Sequence, residues 1–567
     1  MQSQHTIGSY LIERLSSLGV RHMFGIPGDY VLGLYKLLEE SPIQLVGTTR
    51  EDCAGFAADA YARVNGIGAA CVTYCVGGLN TVNAVACAYA ERSPVVLLSG
   101  SPGLDERSRS PLLHHMVRDF RTQRDVYEHI TVASVVLDDP ATAAREIDNA
   151  LAALQRYKRP IYLEVPRDLV NAPIASSGPY RNLTQTVTDA DALAEAVEEV
   201  RAMLSGARAP VALVGAEIHR FGLHDSLLNI VESLNIPVAS TLLGKSVIRE
   251  DHPLYIGVYG SLIGRDDVNR IVDESDCLLI LGSVLTDLDV SGARPPSEQR
   301  TVHATADRIA IKRHTYDGVE FTDFIHALAE ADLPVSTGGP VAVSAPLPPR
   351  PLRSDEPATL ASLFALLNGY VDEDTVVVAD VGESLFASVD LRVHRAAEFL
   401  APAYYTSMGF AVPAAVGAAL AAVGAALAAP NLRPLVLVGD GAFQMTGTEL
   451  STCVRYGINP VVIVLNNRGY STERAIMEGT FNAIPNWNYE QVCALIGGGV
   501  PMSAHTHGEL AEALRTAMAD RSRMYVLNLH LDPEDRSPAM QRVAKRLGER
   551  VNSARVETEN MEMAGAA

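Results

Sequence analysis

Short apolar runs separated by segments of helical period recur along this 567-residue chain, and they constrain its fold more than any other feature. HMFGIPG (22–28), IQLVGTT (43–49), GAACVTY (68–74), PVVLLSG (94–100), ITVASVVL (130–137) and PIYLEVP (160–166) each read as a strand buried on both faces. Strands that alternate with helices imply crossover connections, hence parallel sheets covered on both sides. A polar stretch near 175–188 breaks the pattern. It resumes with PVALVGA (210–216), IPVAS (236–240), DCLLILG (276–282) and RIAIK (308–312), where few polar groups stand at the strand ends. From 334 to 357 there are seven prolines in 24 residues, which favours extended chain and marks a boundary. TVVVADVG (375–382), RPLVLVGDG (433–441), NPVVIVLNN (459–467) and RMYVLNLHL (523–531) make a third unit. The expected fold is α/β, with three successive doubly wound parallel-sheet domains over 1–178, 188–335 and 358–540. A linker at 336–357 and a tail at 541–567 complete the chain; the tail opens on a basic helical pattern, QRVAKRLGER (541–550), and ends polar and frayed. No period of 20–50 residues recurs, so a solenoid is excluded.

Charge narrows the partners. Asp and Glu number 67 against 46 Lys and Arg, a balance of −21, unsuited to tracking a nucleic-acid backbone or an anionic membrane. The seven cysteines form no CxxC pair, so they read as buried small residues in a reducing compartment. The first residues, MQSQHTIGSYLIERLSS, lack the basic and apolar regions of a secretory leader, and the cytoplasm is expected. Residues 401–432 carry no charge and could span a bilayer by length alone. They are dominated by Ala and Gly, contain Pro413, and repeat AAVGAAL at 414–420 and 421–427. Small residues on every face suit a helix packed tightly inside a large protein.

The chemistry concentrates where strands end. Gly439-Asp440-Gly441-Ala442 closes a very apolar run, and the next run closes in Asn466-Asn467-Arg468-Gly469-Tyr470. Ligands of open parallel sheets bind at the carboxyl ends of strands. Either motif alone is an ordinary turn. Together, on successive strand ends, they offer a carboxylate, an amide oxygen and backbone carbonyls, the hard donors that suit Mg²⁺ with phosphate oxygens completing its shell. Nothing matches GxxxxGK[ST], so the group held is not ATP on a Walker loop.

GDG followed at this spacing by NN resembles the signature of the thiamine-diphosphate (ThDP) enzymes, and the resemblance runs from about Thr6 to Arg536. It is nearest to the branch that decarboxylates pyruvate, indolepyruvate and phenylpyruvate. The resemblance implies pyrimidine-binding, middle and diphosphate-binding domains, with Mg²⁺ on Asp440, Asn467 and the Gly469 carbonyl. It places Glu51, in REDCAGFAADAYAR, against N1′ of the aminopyrimidine. His114 and His115 match the family's histidine pair, Asp29 their acidic partner, and Glu473 the glutamate that faces the reacting carbon. Imidazole titrates near neutrality and can deliver a proton repeatedly. Mixed acids suit a proton-transfer site, and Glu473 is the acid expected to stay protonated. Met408 matches the apolar wedge beneath the cofactor, and Thr406 the carbonyl that accepts from its 4′-amino group. Pro27, Thr73, Gly382, Glu383, Gly439, Gly441, Ala442 and Tyr470 fall at further cofactor-contacting positions.

The pocket departs from pyruvate-restricted relatives, which carry tryptophan near Tyr405 and isoleucine at Thr472. With Ile476, these residues imply a roomier site for phenylpyruvate, indolepyruvate or other bulky 2-oxo acids. Asn80, in TYCVGGLN (73–80), replaces a serine common among relatives. The expected activity is non-oxidative decarboxylation of a 2-oxo acid to an aldehyde and CO₂. Two alternatives are a ThDP carboligase, whose acetolactate-synthase relatives lack the histidine pair, and a binding protein with a degenerate site. Glu51 and the GDG/NN pair lie on different domains. The resemblance therefore implies a homodimer or homotetramer with its active sites at a subunit interface.

Overall fold

Every apolar run singled out above forms a strand, usually trimmed by one to three residues at its ends. The computed structural model describes residues 5–109, 112–174, 187–290, 296–336, 339–343, 353–394, 399–424 and 432–546. Most of the polar stretch (175–186), linker residues 337–338 and 344–352, the end of the second AAVGAAL copy from 425, and the tail from 547 lie outside these.

The first sheet has six parallel strands, ordered in space as the second, first, third, fourth, sixth and fifth along the chain. The third sheet, built after the linker, has six parallel strands in the same order. In both, the winding reverses between the first and third strands, which opens a crevice at their carboxyl ends. Those strands are His22–Gly25 and Gly68–Val72 in the first sheet, and Thr375–Ala379 and Arg433–Gly439 in the third. The middle sheet has seven strands and differs from expectation at one edge. There Arg308–Ile311 runs antiparallel to Thr301–Thr305, and His314–Thr315 pairs antiparallel beyond it. RIAIK was read as a parallel strand, but only two residues separate it from Thr305, far too few for a crossover.

Strands without an apolar run escaped the sequence reading. Val500–Ala504 sits at the edge of the third sheet, alternates half-buried and exposed positions before the buried Ala504, and contains Pro501, as edge strands tolerate. The basic helical pattern read over 541–550 is borne out as far as the chain is described: residues 541–546 are helical and docked. Arg542 bonds Asp390 at 3.0 Å, and Arg546 bonds the carbonyls of Ser261, Leu262 and Gly264, bridging the third and middle domains.

The first and third domains share one core, which runs from Phe24, Ala57 and Tyr61 through Val416 to Val438 and Phe443. Two helices make the joint, Glu51–Asn65 and Ala411–Gly424. Ala54, Ala57, Ala58 and Ala60 on one, and Ala411, Ala414, Ala415 and Ala418 on the other, are fully buried. A Cβ on Gly417 would fall 2.0 Å from the Ala57 carbonyl oxygen, so the backbones meet where only glycine fits. This explains the uncharged stretch without a membrane. Among the described residues, no helix is long and apolar enough to cross one. Gly417→Val should therefore destabilise the chain by ~3 kcal/mol, the scale of overpacking a rigid core, and depress the thermal unfolding midpoint. Calorimetry showing an unchanged midpoint would refute this close approach.

Candidate active site

Two groups of side chains assemble, one at the carboxyl ends of the first sheet and one at those of the third. In the first group, Asp29 lies in the turn after His22–Gly25, and its Oδ2 is 2.9 Å from His114 Nε2. Tyr30 stacks on His114 with centroids 4.8 Å apart and planes 18° from parallel, and its hydroxyl lies 3.3 Å from Nδ1. The His115 ring stands edge-on to His114 at 4.6 Å, on a left-handed backbone (φ 67°). One ligating atom from each of Asp29, His114 and His115 fits within 4.8 Å of the others.

Arg167, the first residue past the strand Ile161–Pro166, organises this group from behind. It lies over the Tyr30 ring at 5.0 Å, donates through Nε and Nη2 to Glu106, and reaches the same Asp29 oxygen at 3.4 Å. The guanidinium holds the Glu106 carboxyl below the usual range. Burial, then the nearby Asp29 charge, pushes the Tyr30 hydroxyl up. Sequence reading missed both Arg167 and Tyr30. The rule that ligands gather at strand ends could have found the arginine. The apolar neighbours of the histidines suggest partial burial; His115 is half-buried, whereas His114 is 56% exposed in the single chain and the neighbouring Leu112 87% exposed.

Glu51 opens the helix Glu51–Asn65, and its Oε2 accepts from Asn80 Nδ2 at 2.7 Å. Nearby, the Thr73 hydroxyl is buried without a partner, while Pro27 is exposed.

In the second group, Asp440 is 1% exposed at the start of the short helix Asp440–Thr446. Its Oδ1 accepts from Gly441 N at 2.7 Å and its Oδ2 from Gly469 N at 3.1 Å. Only glycine serves at 469, where φ is 146° and a Cβ would meet the Asn482 carbonyl at 2.0 Å. Arg474 fixes the loop by donating to the carbonyls of Asn467 (3.1 Å) and Arg468 (2.8 Å). Asn467 is buried, yet its Oδ1 has no partner. Burial pushes the Asp440 carboxyl up to about 6. The Tyr470 ring lies against Gly441, 2.5 Å from where a Cβ would stand.

Asp380, another residue the sequence reading passed over, ties the neighbouring loops together. Its carboxylate accepts from Val381 N, Gly409 N and Ala411 N at 2.9, 3.0 and 2.8 Å. The loop it anchors carries Thr406, a β-branched residue at φ 55°, and the half-buried Met408. Strain of this kind at a β-branched residue persists only where surrounding contacts impose it. Here Asn83 of the first domain holds Ser407 at 2.7 Å, and the buried Glu91 accepts from Tyr404 N and Tyr405 N.

The two groups do not meet in one chain. Asp29, His114 and Glu51 make their side-chain hydrogen bonds within the first domain, where His115 packs on His114 and Tyr30, and Asp440 makes its own within the third. Glu473, expected to face the reacting carbon from the other domain, is exposed on the helix Ser471–Ile476. Thr472 is half-buried on that helix, whereas Ile476 and Tyr405 are exposed.

Comparison with known proteins decides the family. The N-terminal TPP binding domain of thiamine pyrophosphate enzymes matches residues 5–124, the central domain 197–331, and the C-terminal TPP binding domain 380–529. The chain belongs to the thiamine pyrophosphate enzymes. It is 38% identical to an indole-3-pyruvate decarboxylase of Azospirillum brasilense, covering 91% of this chain and 94% of that protein. It is 32% identical to a probable pyruvate decarboxylase of Schizosaccharomyces pombe, covering 94% of each, and 33% identical to an alpha-keto-acid decarboxylase of Mycobacterium ulcerans, covering 94% and 95%.

A thiamine pyrophosphate enzyme takes ThDP with Mg²⁺, and the third-domain residues fit such a pair. A buried carboxylate without a cation and a buried amide oxygen without a donor are both costly to leave unmatched, and a hard divalent ion satisfies both.

Glu383, beside this site, is also buried. Its Oε1 accepts from Ser537 N at 3.3 Å, Oε2 has no partner, and burial raises the carboxyl from 4.5 to about 7. A carboxyl raised on folding favours the fold while protonated, and that contribution is lost as pH rises from the unfolded value through the folded one. The cofactor-free protein should therefore lose stability between about pH 4.5 and 7, and Glu383→Gln should flatten that slope. Thermal midpoints across that range test it; parallel profiles for the two proteins would contradict it.

Proposed function

We infer that the protein is a non-oxidative 2-oxo acid decarboxylase that uses ThDP and Mg²⁺ to yield CO₂ and an aldehyde. The histidine pair on Asp29 carries this reading. When CO₂ leaves, the carbon it vacates must receive a proton, and two imidazoles backed by a carboxylate form a rechargeable donor there. A carboligase must instead keep that carbon unprotonated until a second carbonyl arrives, so the same pair works against it. The decarboxylase names of the relatives support the choice.

When bound, ThDP supplies the electron sink that takes the pair left by departing CO₂. The protein's part is holding and proton transfer. Asp440, Asn467 through Oδ1 and Gly469 through its carbonyl bind Mg²⁺, and the turn from Gly439 to Ala442, with Gly382, Glu383 and Tyr470, surrounds the diphosphate. Glu51 holds a proton at N1′ of the aminopyrimidine, with Pro27 and Thr73 beside it. Met408 would wedge against the cofactor, and the Thr406 carbonyl would accept from its 4′-amino group. His114, His115 and Asp29 deliver protons on one side of the reacting carbon, and Glu473 on the other.

Tyr405, Thr472 and Ile476 shape a pocket that favours aromatic or other bulky 2-oxo acids. An indole-3-pyruvate decarboxylase among the relatives supports this preference. Because the two groups lie apart within one chain, a second copy completes each site, giving a dimer or a tetramer made of two dimers. The exposed Leu112, Ile476, Phe481 and Trp487 support such an interface. The seven free, buried cysteines suit the cytoplasm.

A panel of 2-oxo acids, assayed with ThDP and Mg²⁺ for CO₂, aldehyde and acyloin, tests the activity; acyloin as the main product would favour the carboligase. Glu51→Gln should cut turnover at least ~10²-fold while ThDP still binds, and Asp440→Ala should instead abolish Mg²⁺-dependent ThDP retention. Calorimetric titration separates the two, and near-normal turnover by the Gln variant would refute the role given to Glu51.

A further inference from the structure

The position of Asn80, beside Glu51, gives it a task. The turn that carries it is built with unusual care. Thr73 ends the approach from the strand Gly68–Val72, and Cys75 adopts a left-handed backbone at φ 49°. The buried Gln123 pins that residue, its Oε1 accepting from Cys75 N at 2.6 Å. The same amide fills the space beside Gly78, where a Cβ would lie 2.1 Å from Oε1. Gln123 is itself fixed by donating to Ser99 at 2.8 Å and to Tyr162 at 2.6 Å. The short helix Val76–Asn80 therefore rests on a rigid base, with Gly77 against the Glu51 side chain, 3.6 Å from a Cβ to Cγ. Asn80 closes this helix and donates through Nδ2 to Glu51 Oε2 at 2.7 Å.

An ionised carboxylate only accepts, so the amide must present its NH₂ group. A donor bound to one oxygen fixes the direction in which the other points. Among the described residues, the hydrogen bond to Glu51 is the one from Asn80 to Oε2, which leaves Oε1 for N1′ of a bound pyrimidine.

We propose that Asn80 is a positioning residue for Glu51: it clamps one carboxylate oxygen so that the other faces the cofactor in register. This rests on the role given to Glu51 above. A serine at this position has a shorter reach and offers a single donor, so it restrains the carboxylate less.

The test compares holoenzymes carrying Asn80→Ala, Asn80→Ser, Asn80→Asp and Glu51→Gln with the parent. Two quantities are read without 2-oxo acid: hydrogen–deuterium exchange at C2 of bound ThDP, by acid quench and NMR, and the pH dependence of ThDP affinity, by calorimetry. Asn80→Ala should slow exchange about 10-fold, the scale of one lost charge-assisted hydrogen bond, with its thermal midpoint retained. Asn80→Ser should restore part of that loss. Asn80→Asp, placing like charges together, should slow exchange further and move the acid limb of ThDP affinity to higher pH. A merely structural asparagine would not distinguish Ser from Asp in this way. Parental exchange in Asn80→Ala and Asn80→Ser beside slowed exchange in Glu51→Gln would overturn this inference and leave the Glu51 role standing. Parental exchange in Glu51→Gln would remove both.

Discussion

The contact of the helices Glu51–Asn65 and Ala411–Gly424 governs this molecule. Each begins at a functional element. Glu51 is the first residue of one, and the loop bearing Thr406 and Met408 runs directly into the other. Alanine and glycine let the two backbones close to a distance at which neither helix can slide without collision. Polar ties then secure the ends. Thr49 N donates to the buried Glu449 at 2.9 Å, and the buried Arg63 joins Asp59 and Glu91 to the Ala401 carbonyl. Ion pairs this deeply buried contribute little net stability, but breaking one leaves a stranded charge. They specify a single arrangement of the first and third domains.

Two kinds of chemistry occupy the two ends of this framework. The third domain offers hard oxygen donors and a carboxyl that burial makes reluctant to ionise, a setting for a cation. The first domain offers imidazoles, a tyrosine and carboxylates interlocked by Arg167, a setting for protons. The overall charge of −21 bears on neither, because each site is defined by groups within a few ångströms.

The parallel sheets, the GDG and NN turns and the packed alanine helix were legible in the sequence because each depends on local pattern. Periodicity marks strands buried on both faces, and glycine beside aspartate marks a turn where backbone approaches a ligand. What stayed hidden depends on long-range contact. Arg167 lies 138 residues from Asp29, and Asn80 lies 29 from Glu51; no spacing rule joins either pair. The antiparallel edge of the middle sheet was misread because RIAIK looks the same in either direction. Exposure of His114 could not be read from its apolar neighbours, since Leu112 is itself exposed.

The first and third sheets share one strand order, although no repeat is visible in their sequences. Their reversal points are thus equivalent places on two castings of one mould. In the first, the flanking turns hold Asp29 and the hydroxyl of Thr73; in the third, they hold Asp380, Glu383 and Asp440. A ligand with two unlike ends is met by two crevices alike in architecture and different only in the side chains at the rim. Duplication followed by divergence would leave this imprint: the scaffold kept its winding, while a handful of turn residues were exchanged until one copy handled protons and the other a metal.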